Sequence, residues 1–334
     1  MTGKRNNRQR GFSLVELMVA MSLGLVLSWL VVDVYMNSSR AQASLLRNQQ
    51  LNETGRYLSE LLRREISAAG FYGYTRSVAM PSELPQALCQ QSDYAVANQQ
   101  LSYPVVGVDN ASAAITCGDQ RSSASAAELS NCSAQSALTI APAPGSDVVL
   151  LRRAAFNPTL LEATGSRAIN RQLESCQHYL VSAPDGVGLV KFVKGDGSSR
   201  DLTGGAVWRY LEDIFYVTAA GEFRRIYLDE GRFKSSRTVA EGVEDLQIEY
   251  GIDSDRDGIA DSWLAAPVSA KQWAGVVMVN YYLLLVGDSV RADQRVKTFN
   301  YANKQVTPPD DGMLRRLFSG SVRVASPAMR RAGQ

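Results

Sequence analysis

Apolar residues run from Phe12 to Val32, relieved only by Ser13, Glu16, Ser22, Gly24 and Ser28. Four bases, Lys4, Arg5, Arg8 and Arg10, precede the run. The roughly 25 positions from Phe12 to Met36 make about 37 Å of helix at ~1.5 Å per residue, enough to span a ~30 Å hydrocarbon core with some tilt. The basic leader is expected to stay cytoplasmic and the remainder to lie outside. A carboxylate in such a run costs roughly 2.5–3.5 kcal/mol at the centre of a bilayer, so Glu16 calls for a use. A cleaved secretory signal would need an uncharged apolar region and a small-x-small site, and a plain anchor leaves Glu16 unexplained.

Between Asn37 and Ala69 there is no proline, and Gly55 is the only glycine. Leu45, Leu51, Leu58, Leu61, Leu62 and Ile66 recur mostly at three- and four-residue steps, with Arg63, Arg64 and Glu65 among them. That spacing predicts an amphipathic helix with one core-facing stripe, stopped by Gly70. Phe12 to Ala69 then forms one helix of about 87 Å, with a membrane half (12–36) and an amphipathic half (37–69). Residues 70–146 begin Gly70-Phe71-Tyr72-Gly73-Tyr74 and continue rich in Ser, Ala, Gln and Pro, with three cysteines. They read as a disulfide-tied loop region with little regular structure, or alternatively as a disordered linker.

Strand-like apolar runs follow at Asp147–Arg153, Val187–Val193, Val207–Thr218, Glu222–Leu228, Val243–Tyr250 and Val276–Val286. Several are bounded by Gly/Asp turns, which points to antiparallel pairing, and Val276–Val286 is apolar enough for a central strand. Strand–helix alternation is missing, which argues against a doubly wound sheet. Leu314–Phe318 reads as a short helical turn and Val322–Val324 as an edge strand. The expected fold class is α+β: a long N-terminal helix on an antiparallel sheet (147–326), with a disordered tail at 327–334.

A chain of 334 residues is long enough for one or two domains with a real core. Its formal charge is +2; without the four leader bases it is near −2, and neither value favours nucleic acid. Arg315-Arg316 and Arg330-Arg331 are too short to make a basic patch. The four cysteines, Cys89, Cys117, Cys132 and Cys176, contain no CxxC pair. An even count facing an oxidising space favours two disulfides over free buried thiols. Three connectivities are open; Cys117 with Cys132, closing a short loop, and therefore Cys89 with Cys176, is the favoured one.

Asp253-Ser254-Asp255-Arg256-Asp257-Gly258-Ile259-Ala260-Asp261 is a second motif. Carboxylates fall at loop positions 1, 3, 5 and 9, a glycine at 6, and the Ile259 carbonyl at 7, most of the EF-hand pattern for calcium. Position 12 is Leu264, so the bidentate Glu is missing; Asp245 and Glu249 are candidate substitutes. A structural Ca2+ that orders a hairpin loop is weighed against a plain acidic turn. The single histidine, His178, lies two residues from Cys176, so a thiol–imidazole dyad is conceivable. A disulfide-bonded cysteine beside an incidental histidine is the better reading. With none of the Gly-x-Ser-x-Gly, HExxH, P-loop or dinucleotide signatures, the chain reads as non-enzymatic.

Gly11-Phe12-Ser13-Leu14-Val15-Glu16-Leu17-Met18-Val19-Ala20 resembles the class III signal of type IV pilins and pseudopilins. The resemblance implies cleavage by a prepilin peptidase between Gly11 and Phe12 and N-methylation of Phe12. It also implies that Glu16 pairs with the Phe12 ammonium of a neighbouring subunit, which makes two buried charges tolerable. Glu65-Ile66 with Ala69–Gly73, then Ser146–Arg153 and Val239–Asp253, are similar to PilW-type minor pilins. That resemblance implies an inner-membrane protein that moves to the pilus tip. There it would join other minor pilins, prime the major pilin and hold a tip adhesin, with no direct contact to nucleic acid. Twitching motility, adhesion and DNA uptake would follow. A J-type minor pseudopilin of a type II secretion system is the alternative, and a membrane-anchored periplasmic enzyme a further one.

Overall fold

The computed structural model describes residues 12–325, apart from 76–77, 79–82, 86–87, 89–99, 118–131, 133–137, 163–165, 195 and 288–296. The leader, Gly11, Cys89 and the 327–334 tail lie outside the described residues. The chain divides into two compact units, Met1–Gln50 and Leu51–Gln334.

The first unit is helical. Helix α1 runs Leu14–Ala68, close to the span expected from the absence of proline. Its large apolar side chains from Leu14 to Met36 are all exposed, and so are Leu45 and Leu46. Leu45 therefore does not belong to the core stripe; the three-four spacing persists upstream of the point where the globular unit begins.

In the second unit the stripe is Leu51, Leu58, Leu62 and Ile66, all in the main core with Ala69 just beyond the helix. The tip of the Phe318 ring packs against Gly55, where a Cβ would overlap it. The Gly70 N–H then donates to the Arg152 carbonyl (2.9 Å), tying the helix end to the sheet.

Two sheets make up the body, and every strand pairing among the described residues is antiparallel. The larger contains β1 (Val105–Ala111), β4 (Ser146–Ala154), β5 (Gln177–Ala183), β6 (Gly186–Phe192), β7 (Ala206–Val217), β8 (Glu222–Asp229) and β9 (Arg232–Glu241). Its order is β1-β4-β7-β5-β6, with β8 on β7 and β9 on β8. The smaller is β11-β10-β12-β15, made of β10 (Val243–Ile252), β11 (Ser262–Leu264), β12 (Val276–Gly287) and β15 (Leu314–Arg323). Two ribbons, β2 (Ile115–Cys117) with β3 (Leu138–Ile140) and β13 (Phe299–Tyr301) with β14 (Lys304–Val306), complete the strands. Short helices α2 (Ser166–Gln172) and α3 (Ala270–Ala274) lie between strands. Ser269 and Gln272 form a capping box on α3.

The six strand-like runs all become strands, and β12 is central. Three expectations are corrected. Residues 70–146 contain regular structure: β1 is an edge of the large sheet, in register with β4 from Val105↔Leu151 to Ala111↔Ser146. Leu314–Phe318 is not a helical turn, because ten consecutive residues of β15 pair with β12. The disulfide joins Cys132 to Cys176, not Cys117 to Cys132 or Cys89 to Cys176. Cys132 and Cys176 cluster with Val193, whereas Cys117 ends β2 and packs in the main core, so loop length did not decide the pairing. Cys117 is disulfide-bonded as well.

The sheets are joined by side chains standing in for a strand. Along the outer edge of β10, the Leu246 N–H donates to Ser146 Oγ (3.1 Å) and the Ile248 N–H to Asp147 Oδ2 (2.7 Å). Gln247 Nε2 donates to the Gly145 carbonyl (2.8 Å). The other oxygen of Asp147 accepts the N–H of Asn110 (2.8 Å) at a bulge in β1. Edge N–H groups that would otherwise be buried unpaired are satisfied in this way.

Candidate functional site

The N-terminal motif sits at the first turn of α1. Ser13 precedes the helix and its carbonyl accepts the Leu17 N–H (3.1 Å), while its own N–H donates to Glu16 Oε2 (3.3 Å). Glu16 is the third helical residue and reaches back to the capping residue, as the acid of a capping box does. The carboxylate also lies at the positive end of the helix dipole. Phe12 is exposed immediately before this turn. Behind it, α1 is long and apolar enough to cross a membrane, by length and composition.

The acidic loop connects β10 to β11, which pair from Tyr250↔Leu264 to Ile252↔Ser262. Asp253 is buried; its two oxygens accept the N–H groups of Arg256 (2.5 Å) and Gly258 (2.8 Å). Asp255 accepts from the Asp257 N–H (3.1 Å) and Asp257 from the Ile259 N–H (2.7 Å). Asp261 accepts from Ser254 N–H (2.7 Å) and Ser254 Oγ (2.5 Å), and these bonds hold its carboxyl below the usual range. Gly258 is left-handed (φ 86°), the sharp turn expected at position 6. Arg323 of β15 donates to the Gly258 carbonyl (2.9 Å).

One oxygen each from Asp253, Asp255 and Asp261 lies within 4.8 Å of the others. Asp257 is not in that group, and Ile259 is an exposed side chain on the same loop. Asp245 and Glu249 are excluded as substitute ligands. Glu249 stands four β10 residues before Asp253, roughly 13 Å at ~3.3 Å per residue, and accepts from Tyr282 Oη (2.8 Å). Asp245 accepts from Tyr301 Oη (2.7 Å) and Lys304 Nζ (3.2 Å). The Cys176–His178 dyad is excluded too, since Cys176 carries the disulfide. His178 is buried, and burial lowers its pKa to about 3.

Sequence reasoning missed a set of buried charges between α1 and the large sheet. Glu65 Oε2 accepts from Arg153 Nε (3.0 Å) and Nη2 (2.8 Å), and Asp213 pairs with Arg225 (2.8 Å). The signal was available: the doublets Arg152-Arg153 and Glu212-Asp213 interrupt two apolar runs, and the runs pair in register as β4 and β7.

Residues 214–326 match the family described as Type IV Pilus-assembly protein W. Residues 6–32 match the prokaryotic N-terminal methylation motif. Each over its own part of the chain, the two matches support a PilW-type minor pilin. The two matches fall on the Glu16 helix and on the region from β7 to β15 that carries the acidic loop. Among solved structures, a type IV-like pilin from Thermus thermophilus aligns at 18% identity. That alignment covers 46% of this chain and 84% of the other, with a TM-score of 0.27. Comparison with curated proteins gives no match. The methylation motif and the long apolar helix behind it point to membrane anchoring.

Proposed function

We propose that this chain is a PilW-type minor pilin that waits in the inner membrane with its leader cytoplasmic and its globular unit periplasmic. A prepilin peptidase then cuts between Gly11 and Phe12, Phe12 is methylated, and the subunit enters a tip complex with other minor pilins. That complex primes the major pilin and carries a tip adhesin, so that twitching motility, adhesion and DNA uptake depend on it. Its role is structural and not catalytic. The observation that carries the reading is Glu16 in the first turn of an otherwise apolar, exposed helix. The cut would place a new ammonium at Phe12, next to the Ser13 amide that already faces this carboxylate. In an assembled filament a neighbour's ammonium can take that place, which offsets the cost of both charges.

Intact mass spectrometry of the protein from pili is expected to show a mature chain starting at methylated Phe12. Glu16→Leu should insert and be cleaved normally yet assemble poorly; normal incorporation of that variant would refute the charge pairing. A deletion strain should lose surface pili and keep type II secretion; the reverse outcome would favour the pseudopilin role.

The acidic loop is proposed to hold a structural Ca2+ through Asp253, Asp255 and Asp261, with Asp257 and the Ile259 carbonyl as the remaining candidates from the EF-hand pattern. With no acid at Leu264, affinity should be modest, with a Kd on the order of 10⁻⁴ M or weaker. Calorimetry of the full chain in detergent is expected to give binding heat with calcium, abolished by Asp255→Ala. No heat with the parent protein sinks the idea.

A further inference from the structure

The large sheet buries charge on both faces, and the face turned away from Glu65 carries three polar atoms that lack a hydrogen-bond partner. Side chains alternate along a strand, so Arg152 points away from Arg153. It stands directly opposite Glu212 in the β4–β7 register. Arg152 Nη1 donates to the Tyr103 carbonyl (3.0 Å), and its Nη2 lies 3.5 Å from Glu212 Oε1. Tyr210 Oη donates to the other Glu212 oxygen (2.9 Å). Tyr72 completes the group from the segment just after α1, close enough to interact electrostatically with both Arg152 and Glu212. All of these side chains are buried.

Two of the orphan atoms belong to this group: the Tyr72 hydroxyl and Arg152 Nε. The third, His178 Nδ1, lies beside it, its ring centroid 6.5 Å from that of Tyr210. A buried donor without a partner costs about 1–3 kcal/mol, and native interiors remove such costs with internal water, roughly one per 27 residues.

We infer that an internal water binds between the Tyr72 hydroxyl and Arg152 Nε. It accepts from the guanidinium, shares a hydrogen bond with the phenol and uses its remaining hydrogen on the Glu212 carboxylate. Charge decides between water and an ion. Arg152 and Glu212 already cancel, and burial keeps the Tyr72 and Tyr210 hydroxyls protonated. An added ion would bring an uncompensated charge into a desolvated site. The water ties the first residues beyond α1 to the two central strands, a second attachment beside the Gly70–Arg152 backbone bond.

A crystal structure of the full chain in detergent, grown in bromide, reads the site directly. The expected result is a solvent peak within hydrogen-bond distance of Tyr72 Oη and Arg152 Nε, without anomalous scattering. An anomalous peak means an anion, and an empty site means a dry cluster; either overturns the inference. Tyr72→Phe supplies an independent reading. With the water present, the variant loses a bridging partner and its Tm falls by a few degrees. If the hydroxyl is simply unpaired, removing it leaves Tm unchanged or raises it, and that also overturns the inference.

Discussion

Glu65→Leu is expected to destabilise the globular unit by about 3–5 kcal/mol, the cost of leaving a buried partner charge uncompensated. Glu65 is 2% exposed and Arg153 8%. The Arg153 guanidinium spends Nε and Nη2 on Glu65 and lies over the Phe156 ring at 5.1 Å. Asp213 is close enough to feel both Glu65 and Arg153 and is itself held by Arg225 Nε (2.9 Å). The four charges alternate in sign across the helix–sheet contact, so each is placed by its neighbours. Removing Glu65 leaves one guanidinium too many in a buried region. Thermal unfolding followed by near-ultraviolet circular dichroism measures the loss. The double variant Glu65→Leu/Arg153→Met should recover most of it, since a buried pair replaced whole by apolar groups is often neutral. A double variant as unstable as Glu65→Leu would mean that the cost lies in packing and not in the orphaned charge.

These charges show where the sequence stops being readable. The helix was legible because its period continues without proline, and six strands because apolar runs end in Gly/Asp turns. Leu45 was misplaced because periodicity records that a face is apolar and is silent on what covers it. Strand β1 was hidden by Gly107, Asp109 and Asn110, three residues poor in strand propensity. Asn110 is there because its N–H serves Asp147 from a left-handed conformation (φ 47°). In β15, Leu314, Leu317 and Phe318 carry helical spacing, and pairing with β12 overrides it. The Cys132–Cys176 link depends on where β5 and β6 bring Val193, which loop lengths do not encode. In the acidic loop the sequence presents four carboxylates alike, and only the geometry shows that Asp257 stands outside the cluster of the other three. The doublets in β4 and β7 could be read as anomalies, but only the register shows which charges meet.

Asp147→Ala is the second large effect, and it changes the pH profile as well as the stability. The substitution orphans two buried amides, those of Asn110 and Ile248, at about 1–3 kcal/mol each. The carboxyl is also a titrating element. Burial pushes Asp147 up to about 7 against the pull of its two amide donors, with Asp109 and Asp245 adding repulsion. An acid whose folded pKa exceeds its unfolded 3.8 binds its proton more tightly when folded. Its contribution is therefore fullest below about pH 4 and is lost as pH rises towards 7, at no more than about 1.4 kcal/mol per unit. His178 works the other way. Burial, helped by Lys191, lowers it from 6.5 to about 3, so its contribution is present above pH 6.5 and is lost as pH falls towards 3. Between roughly pH 4 and 6.5 the two slopes oppose each other and the parent protein should show a nearly flat profile. Asp147→Ala then unmasks His178, and its Tm should drop steeply between pH 7 and 4.5. His178→Leu removes a ring whose Nδ1 has no partner and should do the reverse, gaining stability on acidification. Thermal midpoints of the three proteins at pH 4.5 and 7.0 decide the matter. Parallel shifts in all three would show that neither group governs the pH response, and that the Asp147 carboxylate is ionised throughout as a fixed staple between the sheets.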